Sequence, residues 1–237
     1  MCGFSLSRIE GRGAGPYHGD ENLGQAARRA QILVKARKHV KKSVNKSLFL
    51  ASSSPYRREL LERLKLPFEA ISPDVDESPL AGEAPSALAL RLSLGKARAI
   101  ASQLKSGLVI GSDQVGAVDG RIYGKPKDRA DAIEQLTSVS GKTMTLFTGL
   151  AMINAANGAE QSDVVSYRVR YRALTPNQIE RYVDTEEPYG CCGSLKSEGL
   201  GIALLAELSG DDPTALIGLP LIRLTDMLAQ EGYLPPA

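Results

Sequence analysis

Histidine is scarce in this 237-residue chain: there are two, His18 and His39, and both precede residue 47. The remainder has none, which excludes Ser-His-Asp hydrolysis, Cys-His chemistry and histidine-ligated zinc there. Cysteine is nearly as thin, since Cys2, Cys191 and Cys192 are too few and too unevenly spaced for a disulfide framework or a zinc site. No apolar run is long enough to span a bilayer, and no basic, apolar and cleavage regions follow one another as in a secretory signal. A reducing cytoplasmic compartment without membrane association is expected. Any catalysis must run on Asp, Glu, Lys and Arg, with a hard divalent cation such as Mg²⁺ or Mn²⁺ suited to oxygen ligands.

The formal net charge of +2 hides an asymmetry. Residues 1–47 hold ten Lys and Arg against three acids, a balance of +7, whereas the remaining 190 residues carry −5. Residues 1–46 therefore read as a basic leader, disordered or appended, and 47–237 as the folded domain. A mildly acidic body favours a small anionic ligand held by a few cations over a duplex on a broad basic face, so no stable nucleic-acid complex is expected.

What the body does contain begins at Leu48-Phe49-Leu50-Ala51, a short buried strand that breaks into Ser52-Ser53-Ser54-Pro55-Tyr56-Arg57-Arg58. Ser54 suits an N-cap and Pro55 the first helical position, which puts two arginines in the first turn. Cations gain nothing from the dipole at that end, so either both are solvated or an anion shares the exposed N–H groups with them. Pro73-Asp74-Val75-Asp76-Glu77 is an acidic loop. Residues 85–104 carry a helical pattern in which Lys96 continues the apolar stripe of Leu88 and Leu92, either snorkelling to solvent or reaching a phosphate.

Leu108-Val109-Ile110-Gly111 reads as a short buried strand with Ser112-Asp113-Gln114 at its C-terminal end, where open α/β sheets place ligands. An aspartate there can bind a metal or take a proton from water. Asp119-Gly120 marks a hairpin whose return through Gly124-Lys125-Pro126 brings Lys125 toward Asp113. Asp128 caps a helix, Asn157-Gly158 joins two long strands, and Arg168, Arg170 and Arg172 share one sheet face that reads as solvated. Thr175-Pro176-Asn177-Gln178 is a capping box, and the segment from Cys191 to Gly201 is a glycine-rich connector bearing Lys196 and Glu198.

In order, Leu50 to Pro55 with Arg57-Arg58, Pro73 to Glu77, Lys96-Ala97, Ile110 to Gln114, Gly124-Lys125-Pro126, Ser140-Gly141, Thr148-Gly149 and Gly218-Leu219-Pro220 resemble the motifs of the Maf-like nucleoside triphosphate pyrophosphatases. The resemblance implies an α/β fold like that of the Maf and ITPase proteins: an elongated mixed sheet flanked by helices, with two lobes around a central cleft. It implies a divalent metal cofactor, a nucleoside triphosphate substrate cleaved to monophosphate and diphosphate, and room for a homodimer. Mapped onto this chain, Asp113 is the catalytic residue, while Ser52, Arg57, Arg58, Lys96 and Lys125 bind phosphate. Asp113, Glu77 and Asp76 are the metal candidates. Tyr56, Gln114 and Glu198 resemble the specificity positions of the branch acting on 7-methyl-GTP, where a tryptophan usually stands in place of Tyr56; the dTTP/UTP branch usually shows Arg, Thr and Gln. The alternatives are a dTTP/UTP pyrophosphatase and a non-catalytic regulator of septum formation.

Overall fold

In the computed structural model, which describes residues 47–236, the apolar run after Ser47 becomes strand β1 (Leu48–Ala51) and the chain turns at once into helix α1 (Pro55–Glu62). Ser54 is the N-cap: its Oγ accepts the Arg57 amide at 3.4 Å, and Pro55 fills a position where a missing N–H costs nothing. There follow β2 (Glu69–Ile71), α2 (Pro85–Ala101), β3 (Leu108–Val118), β4 (Arg121–Tyr123), α3 (Arg129–Val139), β5 (Thr143–Asn154), β6 (Ala159–Tyr171), α4 (Pro176–Glu186), β7 (Leu205–Ser209), α5 (Pro213–Ile217) and α6 (Leu221–Gln230). Three short 3₁₀ turns lie between α4 and β7. The expected capping box opens α4, with both reciprocal hydrogen bonds of Thr175 and Gln178 present.

The strands form one seven-stranded mixed sheet in the order β2-β1-β3-β5-β6-β7, with β4 beside β3. β1 runs parallel to β2 and β3, and the long strands β3, β5 and β6 pair antiparallel. One edge of β3 is paired throughout with β5, whereas the other edge is divided between two short strands. β1 pairs with Leu108 to Gly111 and β4 with Gly116 to Val118, so residues 112–115 face a gap.

This corrects the sequence expectation of a strand ending at Gly111. The strand continues to Val118 because β5 offers a partner along its length, and the small or polar Gly111, Ser112 and Gly116 hide its pattern. What ends at Gly111 is the parallel pairing, so Asp113 stands beyond the end of β1 in the middle of β3.

Apolar cores lie on either side of that polar middle. One joins Leu50, Leu60, Leu108, Ile110 and Met152 to Leu224 and Leu228 of α6; the other joins Val118, Leu136, Met144 and Val169 to Ile179, Tyr182 and Val183 of α4. They are the two lobes expected around a cleft. Helix α2 lies almost directly on the sheet, because a Cβ on Gly111 would collide with Ser93 O and one on Gly149 with Ala89 O.

Candidate active site

The close seating of α2 decides where Lys96 goes. Instead of snorkelling to solvent, the side chain is buried at 5% exposure, and its Nζ donates to Asp113 Oδ1 at 2.5 Å and to Glu77 Oε1 at 2.7 Å. Removing an ammonium from water is costly unless it is paired, and here two carboxylates share it. Asp113 is itself buried, and among the described residues its Oδ2 has no hydrogen-bond partner. Burial pushes the Glu77 carboxyl up, but the Lys96 hydrogen bond and the charges of Lys96, Lys125 and Arg57 outweigh it and hold the group below its ordinary value.

Arg57 comes to the same place from the first turn of α1. Its Nε donates to Gly218 O at 2.9 Å, and burial lowers the guanidinium's pKa against the opposing charges of Asp113 and Glu77. Gly218 O also receives Ser112 Oγ at 2.9 Å, and that hydroxyl lies 2.7 Å from Gly149 O. Close by, Gln114 Nε2 donates to Ala215 O at 2.7 Å and Leu216 O at 3.1 Å, while Thr148 Oγ1 donates to Ala215 O at 2.8 Å. The carbonyls of α5 and its terminal turn thus hold four side chains around the gap in β3. Gly218 is left-handed at φ 116°, the usual conformation for a glycine that ends a helix.

Asp212 fixes this turn in its own right. The buried carboxylate accepts Thr214 N at 2.9 Å, Thr214 Oγ1 at 2.5 Å and Ile222 N at 2.9 Å, and Thr214 Oγ1 in turn accepts Leu221 N at 2.8 Å. Sequence reasoning missed Ser112, Thr148, Asp212 and Thr214 as supports of the site. Asp212-Pro213-Thr214 carries an N-cap signal that would have exposed α5.

Of the expected phosphate ligands, Arg57 and Lys96 converge with Asp113 and Glu77. Lys125 is exposed just beyond β4, near enough for its charge to act on Glu77, and Arg58 is exposed on α1 without an ion pair among the described residues. Ser52 is buried and its Oγ accepts Ser54 N at 3.1 Å. Asp76 is exposed and its Oδ1 accepts Ser78 N at 2.9 Å, so it serves its own turn while Glu77 alone of the acidic loop reaches Lys96.

Tyr56, next to Arg57, faces the glycine-rich connector. The buried Cys191 Sγ lies 3.9 Å from Tyr56 OH; burial raises the phenol's pKa and Cys191 and Glu198 raise it further, while Lys196 opposes them. Glu198 is exposed. Gln114, by contrast, spends its amide N–H groups on α5.

Asp113 and Glu77 suit a hard divalent cation in donor chemistry. Among the described residues no group of three or more His, Cys, Asp or Glu assembles, so substrate oxygens and water would complete the shell, as is common for Mg²⁺.

The gap thus gathers a buried lysine, an arginine and two carboxylates beside the open edge of a mixed sheet, groups whose chemistry suits an oxygen-rich anion. The chain belongs to the Maf-like protein family, whose model matches residues 47–231. It is 55% identical to a protein of Methylobacillus flagellatus over 185 residues, 78% of this chain and 96% of that one, and 54% identical over the same shares to one of Pseudomonas aeruginosa. Both relatives are named 7-methyl-GTP pyrophosphatase. Among solved structures, the Staphylococcus aureus Ham1 protein matches with a TM-score of 0.41 at 16% identity, covering 54% of this chain and 73% of that one.

Proposed function

We propose that this protein is a nucleoside triphosphate pyrophosphatase that hydrolyses 7-methyl-GTP to 7-methyl-GMP and diphosphate, removing a non-standard nucleotide. The observation that carries this reading is the buried Lys96 held between Asp113 and Glu77 in the gap beside Arg57; the names of the relatives, over 50% identical, support the substrate. Arg57 and Lys96, with Arg58 and Lys125 at the rim and Ser52 beneath α1, neutralise and orient the triphosphate. The free Oδ2 of Asp113 takes the proton of a water whose oxygen attacks the α-phosphorus. The bond from that phosphorus to the α–β bridging oxygen breaks, and diphosphate leaves. A divalent cation, held by Asp113 and Glu77, would supply charge neutralisation for the phosphoryl oxygens. Asp76, turned into its own loop, would play a lesser part in holding the cation.

Base selection falls to the face made by Tyr56 and the connector. A 7-methylguanine ring carries positive charge, and an aromatic face over it contributes roughly 0.5–2 kcal/mol. The Glu198 carboxylate accepts hydrogen bonds from the base's Watson–Crick edge and complements its charge. Gln114 contributes as the floor of the site, its side chain fixed by α5.

Diphosphate release measured across 7-methyl-GTP, GTP, UTP and dTTP tests the reading. The expected result is the highest kcat/KM for 7-methyl-GTP, with Glu198→Gln lowering its preference over UTP. Wild-type preference for UTP or dTTP overturns the substrate; no diphosphate from any nucleotide, with or without added Mg²⁺ or Mn²⁺, overturns the reaction.

A further inference from the structure

Glu186, the last residue of α4, has no part in the catalytic chemistry, yet it grips the connector at two points. Its Oε1 takes Lys196 Nζ at 2.5 Å and its Oε2 takes Leu200 N at 2.6 Å. The connector is shaped to permit this, since a Cβ on Gly199 would lie 2.7 Å from Glu186 Oε2. Lys196 is anchored from its backbone as well, its amide donating to Tyr182 OH at 3.0 Å. Between the two gripped residues, Glu198 is left exposed, its Oε2 meeting Ser197 Oγ at 3.2 Å.

We propose that Glu186 is a positioning residue for base selection: by binding Lys196 it keeps that ammonium off Glu198, so that the Glu198 carboxylate stays unpaired and available to a cationic purine. The inference rests on the function proposed above. Lys196 and Glu198 are two residues apart in one bend, and both charges act on the Tyr56 phenol with opposite sign, so they share one neighbourhood. An ammonium released there would pair with Glu198 and would repel the positive ring of a 7-methylated base. An uncharged base such as uracil would not feel that repulsion. Glu186 therefore acts on the difference between substrates more than on hydrolysis itself.

The test is the ratio of kcat/KM for 7-methyl-GTP to that for UTP, measured on the wild type, Glu186→Gln, Lys196→Gln and the double variant, each checked for a cooperative thermal melt. Glu186→Gln is expected to lower the ratio by about tenfold, and Glu186→Gln/Lys196→Gln to restore it to within about twofold of wild type, because nothing remains to be sequestered. An unchanged ratio in Glu186→Gln overturns the proposal, and so does a ratio that stays low in the double variant, which would assign Glu186 to loop anchoring alone. Should Glu186→Gln fail to fold, Lys196→Gln carries the test: a ratio within about twofold of wild type supports sequestration, and a fall of about fivefold or more overturns it. A wild-type ratio below one removes the proposed substrate, an outcome read before any variant is compared.

Discussion

Asp113 is tied at one oxygen and open at the other, and that division separates its structural role from its chemical one. In Asp113→Asn an amide takes the carboxylate's place and Lys96 keeps Glu77 as its partner, so the fold and nucleotide binding are expected to survive. Removing the proposed base should lower kcat by ~10²-fold or more. Steady-state kinetics with a melting curve check this, and near-normal turnover in a folded variant would remove Asp113 from the reaction. Lys96 was legible from sequence as a residue of the core-facing stripe because an amphipathic helix has a fixed period, whereas Asp113 was placed at the end of a strand that in fact runs on to Val118. The choice between Asp76 and Glu77 was not legible, since a loop has no fixed period, and only the position of Lys96 separates them.

At the scale of elements, the site depends on short segments whose sequences are weak signals. β3 was read as four residues rather than 11 because its centre holds glycine, serine and aspartate, residues poor in strand propensity, of which Gly111 admits the close approach of α2. Helix α5, five residues long, was not anticipated, although it supports Arg57, Ser112, Gln114 and Thr148. Its anchoring can be tested at Thr214, whose hydroxyl links Asp212 to the Leu221 amide. Thr214→Val should cost about 1–3 kcal/mol of stability by leaving buried partners unpaired. It should also raise KM, because Gly218 O then loses its fixed aim at Arg57, and Thr214→Ser should recover both. A KM equal to wild type in Thr214→Val would show that the turn does not set the arginine.

The acidic loop is secured in a second way. Glu83 receives Arg91 Nε at 2.6 Å and Nη2 at 2.8 Å, and Arg91 also reaches Ser78 O at 3.0 Å, which pins the stretch following Glu77 onto α2. The Arg91 hydrogen bonds hold the Glu83 carboxyl at about 2, against an ordinary 4.5. A depressed folded-state pKa means that the pair's contribution is fully present above about 4.5 and is lost as pH falls toward 2. Urea unfolding of wild type and Glu83→Gln should therefore differ at pH 6 and converge only as the pH reaches about 2 and below. A gap that persists unchanged at the acid end would contradict the ion pair as its cause.

Over the whole molecule, the arrangement that creates the site is nonlocal: β1 and β4, separated by some 70 residues of chain, share one edge of β3 and leave four of its positions unpaired. No window of sequence holds that information. The ordered family motifs conveyed it in part, because they mark residues that meet at the gap without saying how. Every residue given a role here lies between 47 and 236, and the family match begins at residue 47. Deleting residues 1–46 is therefore expected to leave kcat/KM for 7-methyl-GTP within about twofold and the melting temperature within a few degrees, as for a domain that carries its own core. The same deletion separates the +7 charge of residues 1–47 from the acidic body. If the intact chain binds nucleic acid in a salt-dependent way, that binding should vanish while hydrolysis remains. Loss of hydrolysis on deletion would mean that the leader completes the site, and the assignment of the chemistry to residues from Ser52 to Glu198 would have to be abandoned.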